Sequence, residues 1–208
     1  MKIFNGILYE IDKNDVDENG LLDLSKLDVS TIGNDEPISV DENLIKSVKY
    51  VLLSDYVEQI NDLAFQNFYN LQEINLNNVF KIGKYSFFKN RSLEEVEALL
   101  LQTIDEGAFA ECDSLSSFIT SDDLTDIAPC AFQLCRNLSV FNTGDSLNSV
   151  GDYAFNFTKL EKFIAPSVVD VGISAFASCP NLEIVKLGED AKIGNHSFSN
   201  SSITDFYA

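Results

Sequence analysis

Apolar positions recur along the chain in a fixed order. An Ile or Val is followed five residues later by Phe, five or six residues on by Leu or Ile, and three residues after that by another apolar residue. The anchoring phenylalanines are Phe65, Phe87, Phe109, Phe132, Phe155, Phe176 and Phe198, separated by steps of 22, 22, 23, 23, 21 and 22 residues. Ahead of them stand Ile60, Ile82, Ile104, Ile127, Val150, Val171 and Ile193, with Gly next at Gly83, Gly151, Gly172 and Gly194. Behind them come Leu71, Leu93, Leu115, Leu138, Leu160, Leu182 and Ile203, then Ile74, Val96, Phe118, Phe141, Phe163, Val185 and Phe206. The order predicts a turn around each Ala/Ser-Phe pair and a short strand with alternating sides at each apolar-x-apolar run. One unit of about twenty residues is a flat coil with two open faces and cannot bury these side chains alone, so the coils must stack into a solenoid.

The segments "VGISAFASCPNLEIVKLGEDAKIGNHSF" (171–198) and "LNSVGDYAFNFTKLEKFIAPSVVDVGISAF" (147–176) resemble the leucine-rich repeats of BspA-like bacterial surface proteins. Units of that family read roughly I-G-x-x-A-F-x-x-C-x-x-L-x-x-I-x-L-P-x-x-V. The likeness extends over about seven repeats of 21–23 residues, from 51 to 208. It implies an α/β-type leucine-rich solenoid, a right-handed curved rod with a parallel sheet on its concave face, used mostly for adhesion and protein recognition. The departures lie at the Gly and Pro positions. Ile60-Asn61 and Ile127-Ala128 lack the Gly, and Ala165-Pro166 alone keeps the strand-ending Pro.

Residues 1–50 do not repeat cleanly and are expected to cap the array. "GILYEI" (6–11) and "GLLDLSKL" (20–27) read as two strands of a hairpin, with Asn19-Gly20 as its turn signal. Ile32-Gly33 opens a degenerate repeat in which Pro37-Ile38 replaces Ala-Phe and Leu44 takes the Leu position. Within the cap, Asp15, Asp17, Asn19 and Asp23 follow the oxygen-ligand spacing of a calcium loop with Gly20 at its bend. The twelfth position is Lys26 rather than a bidentate Glu, and both flanks read as strands, so an acidic turn competes with a weak calcium site. No cofactor is expected.

A chain of 208 residues, 45% hydrophobic, buries a sizeable elongated core. Its longest apolar runs, Val51–Leu53 and Ala98–Leu101, fall far short of the roughly 20 residues that span a bilayer. The opening residues lack the apolar stretch and cleavage site of a secretory leader, which favours a cytoplasmic or non-classically delivered protein. The sequence closes in mid-repeat at Phe206-Tyr207-Ala208, which leaves room for a longer parent array. Cys112, Cys135 and Cys179 share one column, three residues after the Phe, and are expected as buried small hydrophobes in a reducing compartment.

Charge excludes some partners. With 33 acidic against 14 basic residues the net charge is −19, so nucleic-acid phosphate and anionic membrane are repelled. No Lys or Arg occurs between Arg91 and Arg136, where Asp122 and Asp123 form part of an acidic rim. No catalytic constellation stands out. The one histidine, His196, lies in a repeat turn, the three column thiols are expected to be buried, Cys130 stands outside that column, and the glycines are spread one per repeat rather than gathered in a phosphate loop. The five N-x-S/T matches at Asn90, Asn137, Asn156, Asn195 and Asn200 follow from Asn and Ser filling repeat turns.

What remains is recognition of another protein without catalysis. Strand alternation turns Glu95, Glu97 and Leu99 outward, followed on later coils by Ile119, Val140, Ile164 and Ile184 with Lys162 and Lys186. Those apolar residues would form a stripe on the concave face, flanked by charge. A one-residue shift of a strand, a neighbouring chain or the packing of β-branched residues is the competing explanation of the stripe. Assembly through the open last coil is the alternative role.

Overall fold

The computed structural model describes residues 1–4, 7–33, 38 and 41–208. The Ile/Val positions form the longest ladder. Residues Thr31–Ile32, Gln59–Ile60, Lys81–Ile82, Thr103–Ile104, Asp126–Ile127, Ser149–Val150, Asp170–Val171 and Lys192–Ile193 pair in parallel, each with the next, and continue the strand Ile7–Glu10. The partners lie in matched register, Ile104 beside Ile82 and Ile127, so a column of β-branched side chains enters the core.

A second set of strands carries the apolar-x-apolar runs. They are Leu21–Leu24, Tyr50–Leu53, Glu73–Ile74, Glu95–Glu97, Ser117–Ile119, Val140–Asn142, Lys162–Ile164, Ile184–Lys186 and Asp205–Tyr207, joined by parallel pairing in three groups of three. The middle residue of each run from Ile74 to Val185 is buried and its neighbours are more open. The strand Glu73–Ile74 is short, and the side chain of Asn75 continues its pairing by accepting from the Leu53 N–H at 2.6 Å and donating to its carbonyl at 3.2 Å.

Between the two ladders the chain turns around the Phe. In all seven repeats the residues two before and two after it have positive φ, for example Cys130 at 58° and Leu134 at 62°. Such values are uncommon outside Gly. Here they aim alternate N–H groups at the following coil: Cys130, Phe132 and Leu134 donate to Asp152, Ala154 and Asn156 carbonyls at 2.8, 2.8 and 2.9 Å. The intervening N–H groups close local turns, as Gln133 does on Cys130 at 3.0 Å. The turns thus become a third cross-coil ladder, and the local strain is offset by satisfied backbone. The solenoid is helix-poor, with the six-residue helix Glu42–Ser47 the only one among the described residues.

Phenylalanine fills the space between the ladders. Neighbouring Phe87, Phe109, Phe132, Phe155, Phe176 and Phe198 stack with centroids 5.0–5.5 Å apart and planes within 10°. Phe118, Phe141 and Phe163 meet this column from the strand side, Phe118 edge-on to Phe132 at 4.9 Å. Both offset-stacked and edge contacts are favourable for aromatic quadrupoles. Cys112, Cys135 and Cys179 are buried, and their thiols donate to the carbonyls of Phe87, Phe109 and Phe155 on the preceding coils at 3.2, 3.0 and 3.1 Å. Burial pushes the Cys112 and Cys179 thiols well above and above their ordinary range respectively, which keeps them protonated and unreactive.

The beginning of the chain pairs differently from the expected hairpin. Ile7–Glu10 runs antiparallel to Lys2–Phe4 and parallel to Thr31–Ile32, whereas Leu21–Leu24 pairs with Tyr50–Leu53 in the second ladder. The two predicted hairpin strands are therefore opposite sides of a first coil. Leu8 on one and Leu22 and Leu24 on the other are all fully buried, which requires them to face one another across a core rather than lie in one sheet. Asn19-Gly20 does mark a turn, but a local one: Gly20 has φ 87° and Val16 bridges to Leu22. Ile38 and Leu44 are buried as the degenerate repeat requires, while Pro37 lies outside the described residues.

Candidate functional site

The strand ladder presents two outward columns. Matched register places Glu95 beside Ser117 and Val140, and Lys162 beside Ile184 and Asp205; the other column runs Glu97, Ile119, Asn142 and Ile164, Lys186, Tyr207. Val140, Ile164 and Ile184 are exposed, at 41, 46 and 38%, and Ile119 is half-buried. These apolar residues alternate between the columns, so the stripe is a zigzag of diagonal neighbours rather than a single file.

Leu99 lies at the margin of this face, just past the strand. The strand ends at Glu97, Ala98 turns inward to donate to the Ile119 carbonyl at 2.9 Å, and Leu99 with Leu100 forms the exposed turn beyond. Burial still alternates from Glu95 to Leu99, so Leu99 keeps the outward parity of Glu95 and Glu97 but stands on the turn past the strand. Tyr50, Leu52 and Glu73 also join the face, lining with Glu95, Glu97 and Ile119 a shallow depression of about 450 Å³. Their signal is visible in the sequence as the inward pair Val51 and Leu53, which leaves Tyr50 and Leu52 on the other side.

Charge on this face is unpaired. Among the described residues Glu73, Glu95, Glu97, Lys162 and Lys186 take part in no ion pair. The cross-coil ion pairs sit at the Phe turns, where Lys84 meets Glu106 at 3.6 Å and Asp113 meets Arg136 at 2.5 Å and Arg91 at 3.7 Å. Surface pairs of this kind contribute little stability each.

Asp122 and Asp123, the predicted acidic rim, separate in role. The Asp122 carboxylate accepts from the Asp145 N–H at 2.7 Å and lies where a side chain at Gly144 would fall, so it fastens one coil to the next. Asp123 is exposed on the edge beside Asp55, Glu58 and Leu100. Asp122→Ala is expected to cost about 1 kcal/mol, the worth of a charge-assisted backbone bond, and Asp123→Ala close to nothing. Urea unfolding midpoints of the two variants check this; equal midpoints would remove the structural role of Asp122.

The acidic turns near the start use their carboxylates on their own backbone. Asp15 accepts from the Asp12 N–H at 2.8 Å and the terminal amine at 2.6 Å, and Asp23 accepts from the Ser25 N–H at 2.9 Å. Asp17 accepts from the Leu21 and Asn19 N–H groups at 2.8 and 2.9 Å, and the Leu21 bond foremost holds its carboxyl below the ordinary range. Among the described residues no three His, Cys, Asp or Glu side chains gather where they could hold a metal ion. Millimolar calcium is expected to leave the melting temperature unchanged, since mass action stabilises a fold only through a site; an increase lost in Asp17→Ala would establish one. His196 is an exposed turn residue at φ 61°. No helix among the described residues is long and apolar enough to cross a membrane.

Stacked coils of about 22 residues, one strand ladder at the Ile/Val positions and another opposite it, define a leucine-rich β-solenoid with an open strand face. The model of the BspA type leucine rich repeat region matches residues 43–139 and 102–208, and the chain belongs to that family. Two crystal structures are similar. A leucine rich cell surface protein from Faecalibacterium prausnitzii A2-165 has 24% identity and a TM-score of 0.67, covering 79% of this chain and 44% of its own. A leucine-rich repeat protein from Bacteroides ovatus ATCC 8483 has 22% identity and a TM-score of 0.54, covering 83% and 62%. At these identities the likeness concerns the fold, and the chain spans less than two thirds of either neighbour's length. No curated protein is similar to it.

Proposed function

We propose that the chain is a non-catalytic protein-binding module whose partner lies on the outward face of the second strand ladder. The observation that carries this reading is the surface itself. Exposed Val140, Ile164 and Ile184 stand among carboxylates and ammonium groups that have no ion-pair partner among the described residues. Apolar side chains left in water on a rigid scaffold favour association, and unpaired charges beside them select and orient what associates. Family membership supports an interaction or structural role, since such arrays expose long, regular surfaces. The net charge of −19 disfavours polyanionic partners.

Replacing Ile119 and Ile164 together by Glu tests the reading. Both changes put a carboxylate on a solvent-facing position, where folding tolerates it but a protein interface must desolvate it. The tagged chain, used as bait in an extract of its native cells, is expected to lose its specific partners at least tenfold by quantitative mass spectrometry while its circular dichroism stays unchanged. Unaltered capture by the folded variant would move the binding surface elsewhere.

A further inference from the structure

We propose that the partner on this face is a second copy of the chain, docked with the two solenoids antiparallel about a two-fold axis; this rests on reading the face as protein-binding. The pattern of outward residues is complementary to itself. In the order of the nine strands, Glu73 stands on the third and Glu95 and Glu97 on the fourth, while Lys162 stands on the seventh and Lys186 on the eighth. These acidic and basic groups are thus equidistant from a midline between Ser117–Ile119 and Val140–Asn142, while Asp205 on the ninth strand falls opposite uncharged Tyr50.

A two-fold axis along that midline, parallel to the strands, keeps each residue's position along its strand and exchanges the two ends of the face. It sets Glu95 opposite Lys162 of the other copy, Ser117 opposite Val140, and Leu52 opposite Tyr207, with Glu73 and Lys186 as diagonal neighbours. Two-fold interfaces require this kind of self-complementarity. The other face-to-face arrangement, with the solenoids parallel, keeps each strand opposite itself and exchanges the columns, so Glu95 faces Glu97 while Lys162 and Lys186 face Ile164 and Ile184 with no carboxylate opposite, and is disfavoured.

Nine strands at about 4.8 Å make a face about 40 Å long. Two outward columns and their margins, about 15 Å wide, bring the total buried area to about 1,200 Å², the low end for a specific complex, so a dimer in the micromolar range is expected. The large net charge opposes self-association, but much of the acidic excess lies away from the face, for instance Asp105, Glu106, Glu111 and Asp113 around the Phe turns and Asp122 and Asp123 on the edge. Screening over about 8 Å at physiological ionic strength leaves the contact pairs to decide.

Sedimentation equilibrium of the chain from micromolar to millimolar concentration is expected to show the mass doubling. Glu95→Lys with Glu97→Lys makes the face basic, and Lys162→Glu with Lys186→Glu makes it acidic; each variant alone should be monomeric, and an equimolar mixture should form a heterodimer. All four positions are exposed, so folding is not at stake, and circular dichroism verifies it. A wild-type chain that stays monomeric throughout would overturn self-pairing. So would a dimer that persists in both variants, because another surface, such as the coil with exposed Ile193, Phe206 and Tyr207, would then hold it. In the first case the protein-binding reading survives if the Ile119→Glu and Ile164→Glu variant still loses captured partners.

Discussion

Phe132→Ala is expected to destabilise the fold by about 3–5 kcal/mol, read as a lowered midpoint in urea unfolding. The ring sits in the middle of the aromatic column, stacked on Phe109 at 5.5 Å and Phe155 at 5.2 Å, with Phe118 and Phe141 edge-on at 4.9 and 5.3 Å. Removing it opens a cavity bounded by three coils, and the backbone cannot close around it because three ladders hold the coil spacing. A loss of that size is a large fraction of the 5–15 kcal/mol typical of a folded chain. In a solenoid the stability of each coil depends on its neighbours, so amide protection should fall on both sides of the substitution and less at the two ends. Wild-type stability in this variant would mean that the phenylalanine column is not the core.

Asn90→Cys is expected to do the opposite and stabilise the protein by about 1–3 kcal/mol. Asn90 occupies the column of Cys112, Cys135 and Cys179, is fully buried, and neither its amide nitrogen nor its amide oxygen finds a partner among the described residues. A buried polar group without hydrogen bonds carries its full desolvation cost. The thiols of this column donate to the Phe carbonyl of the preceding coil, and a cysteine at 90 has the Phe65 carbonyl in the corresponding place. The urea midpoint of the variant, measured in reductant, should rise. A neutral or lowered midpoint would show that the amide is satisfied in solution and that the column does not demand a thiol here.

The period of apolar residues was enough to determine the solenoid, the identity of its core columns and the inward side of each strand, because each depends on spacing along one coil and on the rule that apolar side chains leave water. Ile60, Phe65, Leu71 and Ile74 are buried where the periodicity puts them. The same period located Ile119, Val140, Ile164 and Ile184 outside the core. It could not decide what depends on the neighbouring coil. Left-handed backbone at Leu63, Tyr85 and Phe157 has no local signal, since none is Gly or Asn; it is imposed by N–H groups that must reach the next coil. Asp122 looks like any rim carboxylate until Asp145 folds back beneath it. The pairing of Ile7–Glu10 and Leu21–Leu24 was misleading for the same reason: two apolar runs flanking a turn fit a hairpin or two walls of one coil equally well. Only the presence of Thr31–Ile32 and Tyr50–Leu53, one beside each, selects the second, because that arrangement buries Leu8, Leu22 and Leu24 together.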